Sequence, residues 1–215
     1  MRDPGQDMID MTKRREKLLE TGFRLFAEYT IEAVSLQKIA KESGIGIATL
    51  YRYFGNKPEL VIEIGTRKWQ EYFLKVESAY EKQDGDAMNA AAELEFFLDC
   101  VIDLYRNHKD ILRFNRNFDT YVKHEGCTQE QMRPYNETVT IFADKFHRLY
   151  SKAREDHTLN IRISEKTMFL NLMYIMLSVA GKYAEGLVYP PDEERDMSEE
   201  LEMLKQMIWD AYVRK

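Results

Sequence analysis

Apolar residues recur along this chain at intervals of three and four, and strict alternation is missing, so the fold class reads as all-α. Leu19, Phe23, Phe26 and Ala27 mark one face of a first helix predicted over about 12–29, with Lys13, Arg14, Arg15 and Lys17 crowded at its start. Ser35 has the side chain to cap a second helix, whose inner face holds Leu36, Ile39, Ala40 and Ser43, and Gly44 ends it. A third helix follows over 47–54, with Leu50 and Phe54 turned inward and Gly55 as its stop. Asn56 and Pro58 open a long fourth helix, whose apolar residues continue through Trp69, Tyr72, Phe73 and Val76 to about Lys82.

Turn signals then divide the rest into helices over roughly 86–106, 109–123, 128–155 and 164–186. Pro190 and Pro191 enforce a turn. Ser198 is expected to cap a last helix that runs to the end of the chain, with Glu199 and Glu200 favourably in its first turn. The pattern therefore predicts nine helices in two domains, residues 1–57 and 58–215.

Charge sharpens that division. The formal net charge is −6, yet residues 12–57 hold nine Lys/Arg against five Asp/Glu, whereas residues 58–215 hold 21 against 29. A basic lobe on an acidic body suits a protein that meets a polyanion through one end. A merely solvated surface is the competing reading of the same charges.

Cys100 and Cys127 have no CxxC spacing and no secretory leader precedes them, which predicts free thiols in a reducing, cytoplasmic setting. The longest mostly apolar run, residues 168–180, falls short of the roughly 20 residues that a membrane-spanning helix needs. No glycine-rich phosphate loop, HExxH or Ser/His/Asp order is present, and His108, His124, His147 and His157 fall at no ligand-like spacing. Neither an enzyme, nor a cofactor, nor a bound metal is expected.

Between Leu36 and Phe54 the spacing is that of a helix-turn-helix. Small Ala40 admits a crossing helix, Gly44 supplies a left-handed turn, and Ile39, Ile45 and Leu50 make the shared core. The stretch from Gly44 to Leu60 also resembles the signature of the tetracycline-repressor (TetR) family. It carries Thr49-Leu50-Tyr51, then Tyr53-Phe54, two loop residues, Lys57 and Leu60 in the family's order, with Phe26-Ala27 and Ile39-Ala40 at the right distances upstream. One departure is Gly46, where members of the family usually have a Ser or Thr that caps the third helix.

The resemblance implies a cytoplasmic homodimer that sets two recognition helices in successive major grooves of a palindromic operator, with half-sites about 34 to 36 Å apart or somewhat further. It implies phosphate contacts from Thr49, Tyr51, Tyr53 and Lys57, and base-edge contacts from Gln37, Ile47, Ala48 and Arg52. Hydroxyls and an ammonium suit phosphate oxygens, whereas Gln and Arg read purine edges in pairs of hydrogen bonds. Ser35, Lys38 and Gly46 complete the expected DNA-binding set.

For the larger domain the resemblance implies a small-molecule effector, apolar or aromatic, among Phe96, Cys100, Phe114, Phe118, Tyr121, Phe142, Phe146 and Met173. The same residues at helical spacing also read simply as core. The helix over 168–180 is apolar nearly all round and needs cover on two sides, which predicts a dimer interface at Met176, Val179, Leu201, Leu204, Ile208 and Tyr212. A repressor released by its effector is the expected function. A metal- or redox-sensing regulator on the same scaffold, an activator, and a helical interaction module without DNA binding remain the alternatives.

Overall fold

The structure, a computed structural model, describes residues 4–186 and 195–214; the turn expected at Pro190 and Pro191 lies outside them. Among the described residues there are nine α-helices and one 3-10 turn, and no β-strand, in line with the all-α pattern. In chain order the helices are α1 Pro4–Glu28, α2 Leu36–Ser43, α3 Ile47–Phe54, α4 Lys57–Lys82, α5 Ala90–Asn107, α6 Lys109–His124, α7 Gln129–Asp156, α8 Glu165–Glu185 and α9 Ser198–Tyr212.

Most helix ends fall where capping chemistry puts them. Ser35 caps α2 by accepting a hydrogen bond from the Lys38 N–H at 3.1 Å, and Ser164 caps α8 through the Thr167 N–H at 3.2 Å. Asn56 accepts from the Glu59 N–H at 2.9 Å, and its own amide reaches the Glu59 carboxylate at 2.7 Å, so α4 starts one residue before Pro58.

Four ends differ from the pattern. Helix α1 begins at Pro4 instead of near Thr12, because no breaker interrupts residues 6–11 and the Thr12 hydroxyl turns back to the Met8 carbonyl at 3.0 Å. Residues 85–87 form a 3-10 turn, and α5 waits for Asn89, whose side chain caps the Ala92 N–H. At α9 the cap position is Met197, while Ser198 is already helical and its hydroxyl donates to Asp196 at 2.9 Å. That helix stops at Tyr212, where Val213 pairs with Leu159 in a single antiparallel bridge.

The chain divides into two compact units: Met1–Trp69 with Arg113–Thr138, and Gln70–Leu112 with Val139–Lys215. Three helices, α4, α6 and α7, therefore contribute residues to both.

The first unit is built on a column of rings. Phe114 of α6 lies 5.7 Å from Phe23 and 6.4 Å from Phe26 of α1, and Phe118 continues to Tyr135 of α7 at 4.3 Å. Asn115 holds the edge of this column, its side-chain oxygen accepting from the Trp69 indole N–H at 3.2 Å and from the Tyr135 hydroxyl at 3.0 Å. Gly65 of α4 makes the close approach feasible. A β-carbon there would sit 3.1 Å from Phe118, 3.2 Å from Tyr135 and 3.3 Å from Phe114.

In the second unit α5 packs on α8 and α9. Leu94, Leu98, Ile102 and Tyr105 are buried on α5, and the Tyr105 hydroxyl accepts from the Met197 N–H at 3.0 Å. Glu93, only 3% exposed, is paired with the Lys152 ammonium at 2.6 Å, so its charge is compensated where water is excluded.

Replacing Gly65 with leucine drives a branched side chain into three buried rings, and overpacking of this kind typically costs about 1–3 kcal/mol. The expected result is a lower urea midpoint with an unchanged slope for the Gly65→Leu variant.

Candidate nucleic-acid interface

Helices α2 and α3 are each eight residues long, and their junction is a tight left-handed turn. Gly44 takes φ 67°, while its N–H bonds to the Lys41 carbonyl and the Ile45 N–H to the Ala40 carbonyl, the doubled closure of a Schellman motif. A residue with a β-carbon is strained at that angle, which is why a glycine stands here. Leu36, Ile39 and Ala40 from α2 and Leu50 and Phe54 from α3 are buried together with Phe26 of α1.

With Leu50 and Phe54 turned inward, the remaining positions of α3 must face away. Ala48, Tyr51 and Arg52 are exposed, Tyr51 by 45%, and Ile47, Thr49 and Tyr53 are half-buried. From α2, Gln37 is exposed beside its exposed cap Ser35, and Lys38 lies with its ammonium 3.8 Å from the centre of the Tyr29 ring. Tyr53 stands edge-on to Phe54, and the Arg52 guanidinium sits 5.6 Å from the Tyr53 ring. The residues expected to read DNA thus form one surface-lying set on two adjoining helices, apart from Lys57.

Lys57 opens α4 and is half-buried. Its ammonium lies 5.4 Å from the Tyr121 ring and 6.0 Å from the Phe26 ring, with the Glu32 carbonyl at 3.5 Å. Burial pulls its pKa below the ordinary lysine value, against the smaller opposing pull of Glu32 and Glu125. A phosphate oxygen would offer this ammonium a stronger partner than that distant carbonyl.

A second cation was not legible as anything but part of a basic start to α1. Arg15 forks onto the carboxylate of Glu63 in α4, one arm at 2.6 Å, while its guanidinium lies 5.0 Å from the centre of the Phe54 ring. It thereby ties the last residue of α3 to both α1 and α4. Arg24 does similar work between α1 and α2, bonding Glu42 at 2.6 Å. These partners lie 48 and 18 residues apart in sequence, a separation that periodicity does not register.

The residues expected around an effector divide between the two units. Phe114, Phe118 and Tyr121 are at most 1% exposed in the first unit, where Phe114 and Phe118 belong to the ring column and Tyr121 lies beside the Lys57 ammonium. In the second unit Phe142 stands edge-on to Phe73 at 4.4 Å, Phe146 packs on Phe169 at 5.2 Å, and Met173 is half-buried on α8. Only Phe96 and Cys100 line an open cleft, about 400 Å³ in volume, between α4 and α5.

The residues expected at a subunit interface are also turned inward in part. Met176, Leu201 and Ile208 are buried within the second unit, since α9 uses that stripe to cover α5, and Val179, Leu204 and Tyr212 are half-buried. The large apolar side chains that α8 and α9 leave exposed are instead Leu170, Tyr174 and Ile175, and Met203 and Met207.

Residues 18–64, which hold the inward faces of α1 to α3 and the start of α4, match the family model described as bacterial regulatory proteins, tetR family. The match spans 47 of the chain's 215 residues. Among curated relatives is an HTH-type transcriptional regulator of Staphylococcus aureus (strain bovine RF122 / ET3-1), 30% identical over 94 residues, which cover 44% of this chain and 51% of that protein. The chain thus spans about half the length of the first curated relatives it matches. A second regulator of that species (strain USA300) is 26% identical over 181 residues, covering 73% of this chain and 96% of its own. Of solved structures, a transcriptional regulator from Saccharomonospora viridis in complex with choline shares the fold, with a TM-score of 0.73 at 16% identity over 95% of this chain and all of that one. These relatives are regulators and not enzymes.

Against the TetR pattern, Gly46 departs as the structure makes concrete. It occupies the cap position of α3 at φ −60° and ψ 140°, and no side chain bonds the first N–H groups of that helix. They remain available to an anion, with the helix dipole favouring negative charge.

The contrast between the two cations is measurable in the free protein. Arg15→Met breaks a partly exposed forked ion pair and a ring contact, and lowers the unfolding free energy by about 1 kcal/mol. Lys57→Met keeps the aliphatic packing on Phe26 and Tyr121 and removes a charge that burial disfavours, so its urea midpoint is not lowered.

Proposed function

We propose that this chain is a DNA-binding transcriptional regulator that acts as a homodimer on a palindromic operator and is released from it by a small-molecule effector, most simply as a repressor. The observation that carries the reading is the outer face of α3. Eight residues anchored by Leu50 and Phe54 present Ala48, Tyr51 and Arg52 outward beside Gln37, on a lobe whose sequence is basic. Arg52 and Gln37 supply purine-edge readout, Ala48 and Ile47 meet thymine methyl groups, and Thr49, Tyr51, Tyr53, Ser35, Lys38 and Lys57 take phosphate oxygens around them. The open N-terminus of α3 at Gly46 adds backbone donors for one more phosphate.

Twofold assembly accounts for the apolar side chains left exposed on α8 and α9. Tyr174 and Met203 are each 68% exposed and Met207 64%, an expense of hydration that a partner copy removes. Effector control then follows from α4. Its residues 57–69 belong to the first unit and 70–82 to the second, so a ligand that displaces the latter part changes the spacing of two reading heads on a duplex of fixed pitch. The related regulator in complex with choline supports a small-molecule role for this scaffold.

A redox-sensing variant is less well supported by the thiols. Burial pushes Cys100 up to about 12, and Cys127 is also raised, so neither favours the reactive thiolate. Among the described residues no group of three or more His, Cys, Asp or Glu side chains is arranged to hold a metal.

Selection of bound fragments from random duplex tests the central reading: an enriched inverted repeat is expected, and the absence of any enriched sequence defeats it. Within such a site Arg52→Ala relaxes one base position per half-site at a cost of about 1–3 kcal/mol, whereas Lys57→Met weakens all sequences alike and lowers the salt slope by about 1 per subunit.

Sedimentation tests the assembly. Met203→Glu with Met207→Glu is expected to give a folded monomer with poor operator affinity, and an unchanged dimer would place the interface elsewhere.

A further inference from the structure

The cleft between α4 and α5 lies wholly within the second unit and has a mixed character. Its floor is apolar: Val76 and Ala79 from α4, Phe96 and Ala92 from α5, and Met88 from the connection between them. Along its α5 side run three carboxylates, Glu95, Asp99 and Asp103, at intervals of four residues. That spacing sets successive carboxylates about 6 Å apart along the helix, too far for all three to hold a single metal ion.

The charge on this rim is not cancelled. Lys205 of α9 bonds Asp99 at 2.5 Å and Glu95 at 3.0 Å and is held there by both. Asp103 has the amide of Asn107 at 2.7 Å, a neutral donor that leaves its negative charge in place. Lys75 is the one lysine of the lining itself, and it is exposed to water. The carboxylates act on the lining beyond burial, which comes first: Asp103 and Asp99 raise the pKa of Cys100 against a smaller opposing pull from Lys145, and Asp103 adds to the effects of burial and Cys100 on Tyr72.

We infer that this cleft binds an organic cation, a compound with an aromatic or aliphatic body and a protonated or quaternary amine, with the body on Phe96 and Val76 and the ammonium toward Asp103 and Asp99. A volume of about 400 Å³ is in the range of small-molecule sites. An anion of the same shape meets the carboxylate row, and a neutral body leaves that row partly desolvated without a counter-charge. Tyr72 adds a further edge, its hydroxyl donating to the Cys100 carbonyl, so its ring is fixed at the mouth before any ligand arrives. The inference rests on the effector reading above for its regulatory meaning, but not for the binding itself.

Calorimetry on the purified full chain tests it with three probes of one skeleton: phenylbutyltrimethylammonium, phenylpentanol and phenylpentanoate. One cation is expected to bind per chain, at least about tenfold more tightly than phenylpentanoate. Asp103→Asn, at an exposed position, weakens the cation about tenfold and leaves phenylpentanol unchanged. Ala79→Trp fills the cleft and abolishes binding of all three, with helical content checked by circular dichroism so that unfolding is not mistaken for occlusion. Equal affinity for the carboxylate, no binding by the cation, or an unchanged preference in Asp103→Asn each overturns the assignment. Operator affinity is measured separately. A cation that binds the cleft without altering it keeps this inference and defeats effector release, whereas another class of small molecule that releases DNA while the cation goes unbound does the reverse.

Discussion

The outward surface of the helix-turn-helix depends on an eight-residue helix being held by two inward side chains. Helix α3 is too short to be stable alone, so its orientation is a property of the packing beneath it. Leu50 and Phe54 supply that packing from α3 itself, and Arg15 clamps the Phe54 ring from above while it forks onto Glu63. Because the inner positions are spoken for, the outer ones face away. A buried base and an outward face are two consequences of the same periodicity.

The ring column beneath this head has a second consequence. Phe114, Phe118 and Tyr135 come from helices that also lend residues to the other unit, and they are packed around Gly65 with no spare volume for a methyl group. Close-packed interiors do not deform smoothly. Helix α1, on which α2 and α3 rest, is packed against this stiff cluster through Phe23 and Phe26.

The candidate surfaces differ in their electrostatics as their proposed partners require. Around α3 the backbone N–H groups at Gly46 and the side chains of Arg52 and Lys57 offer positive charge to a polyanion. At the cleft, Glu95, Asp99 and Asp103 outnumber the lysines that meet them. Net charge alone, −6 for the chain, conceals both.

The all-α class, the number of helices, and the caps at Ser35, Gly44 and Asn56 were legible in the sequence, because each rests on contacts within a few residues. So was the inward pair of α3, and with it the outward set, since helical geometry makes one the complement of the other. The starts of α1 and α5 were not: α1 continues back to Pro4 for want of a stop signal, and at α5 a 3-10 turn over 85–87 delays the helix until Asn89 caps it. What only the tertiary structure decided was which partner each apolar face has chosen. Phe114 of α6 went to α1, α9 turned Leu201 and Ile208 inward and left Met203 and Met207 outside, and Arg15 found Glu63 across 48 residues. A periodic stripe says that a face will be covered; what covers it depends on the simultaneous packing of all the helices, and that information is distributed over the whole chain.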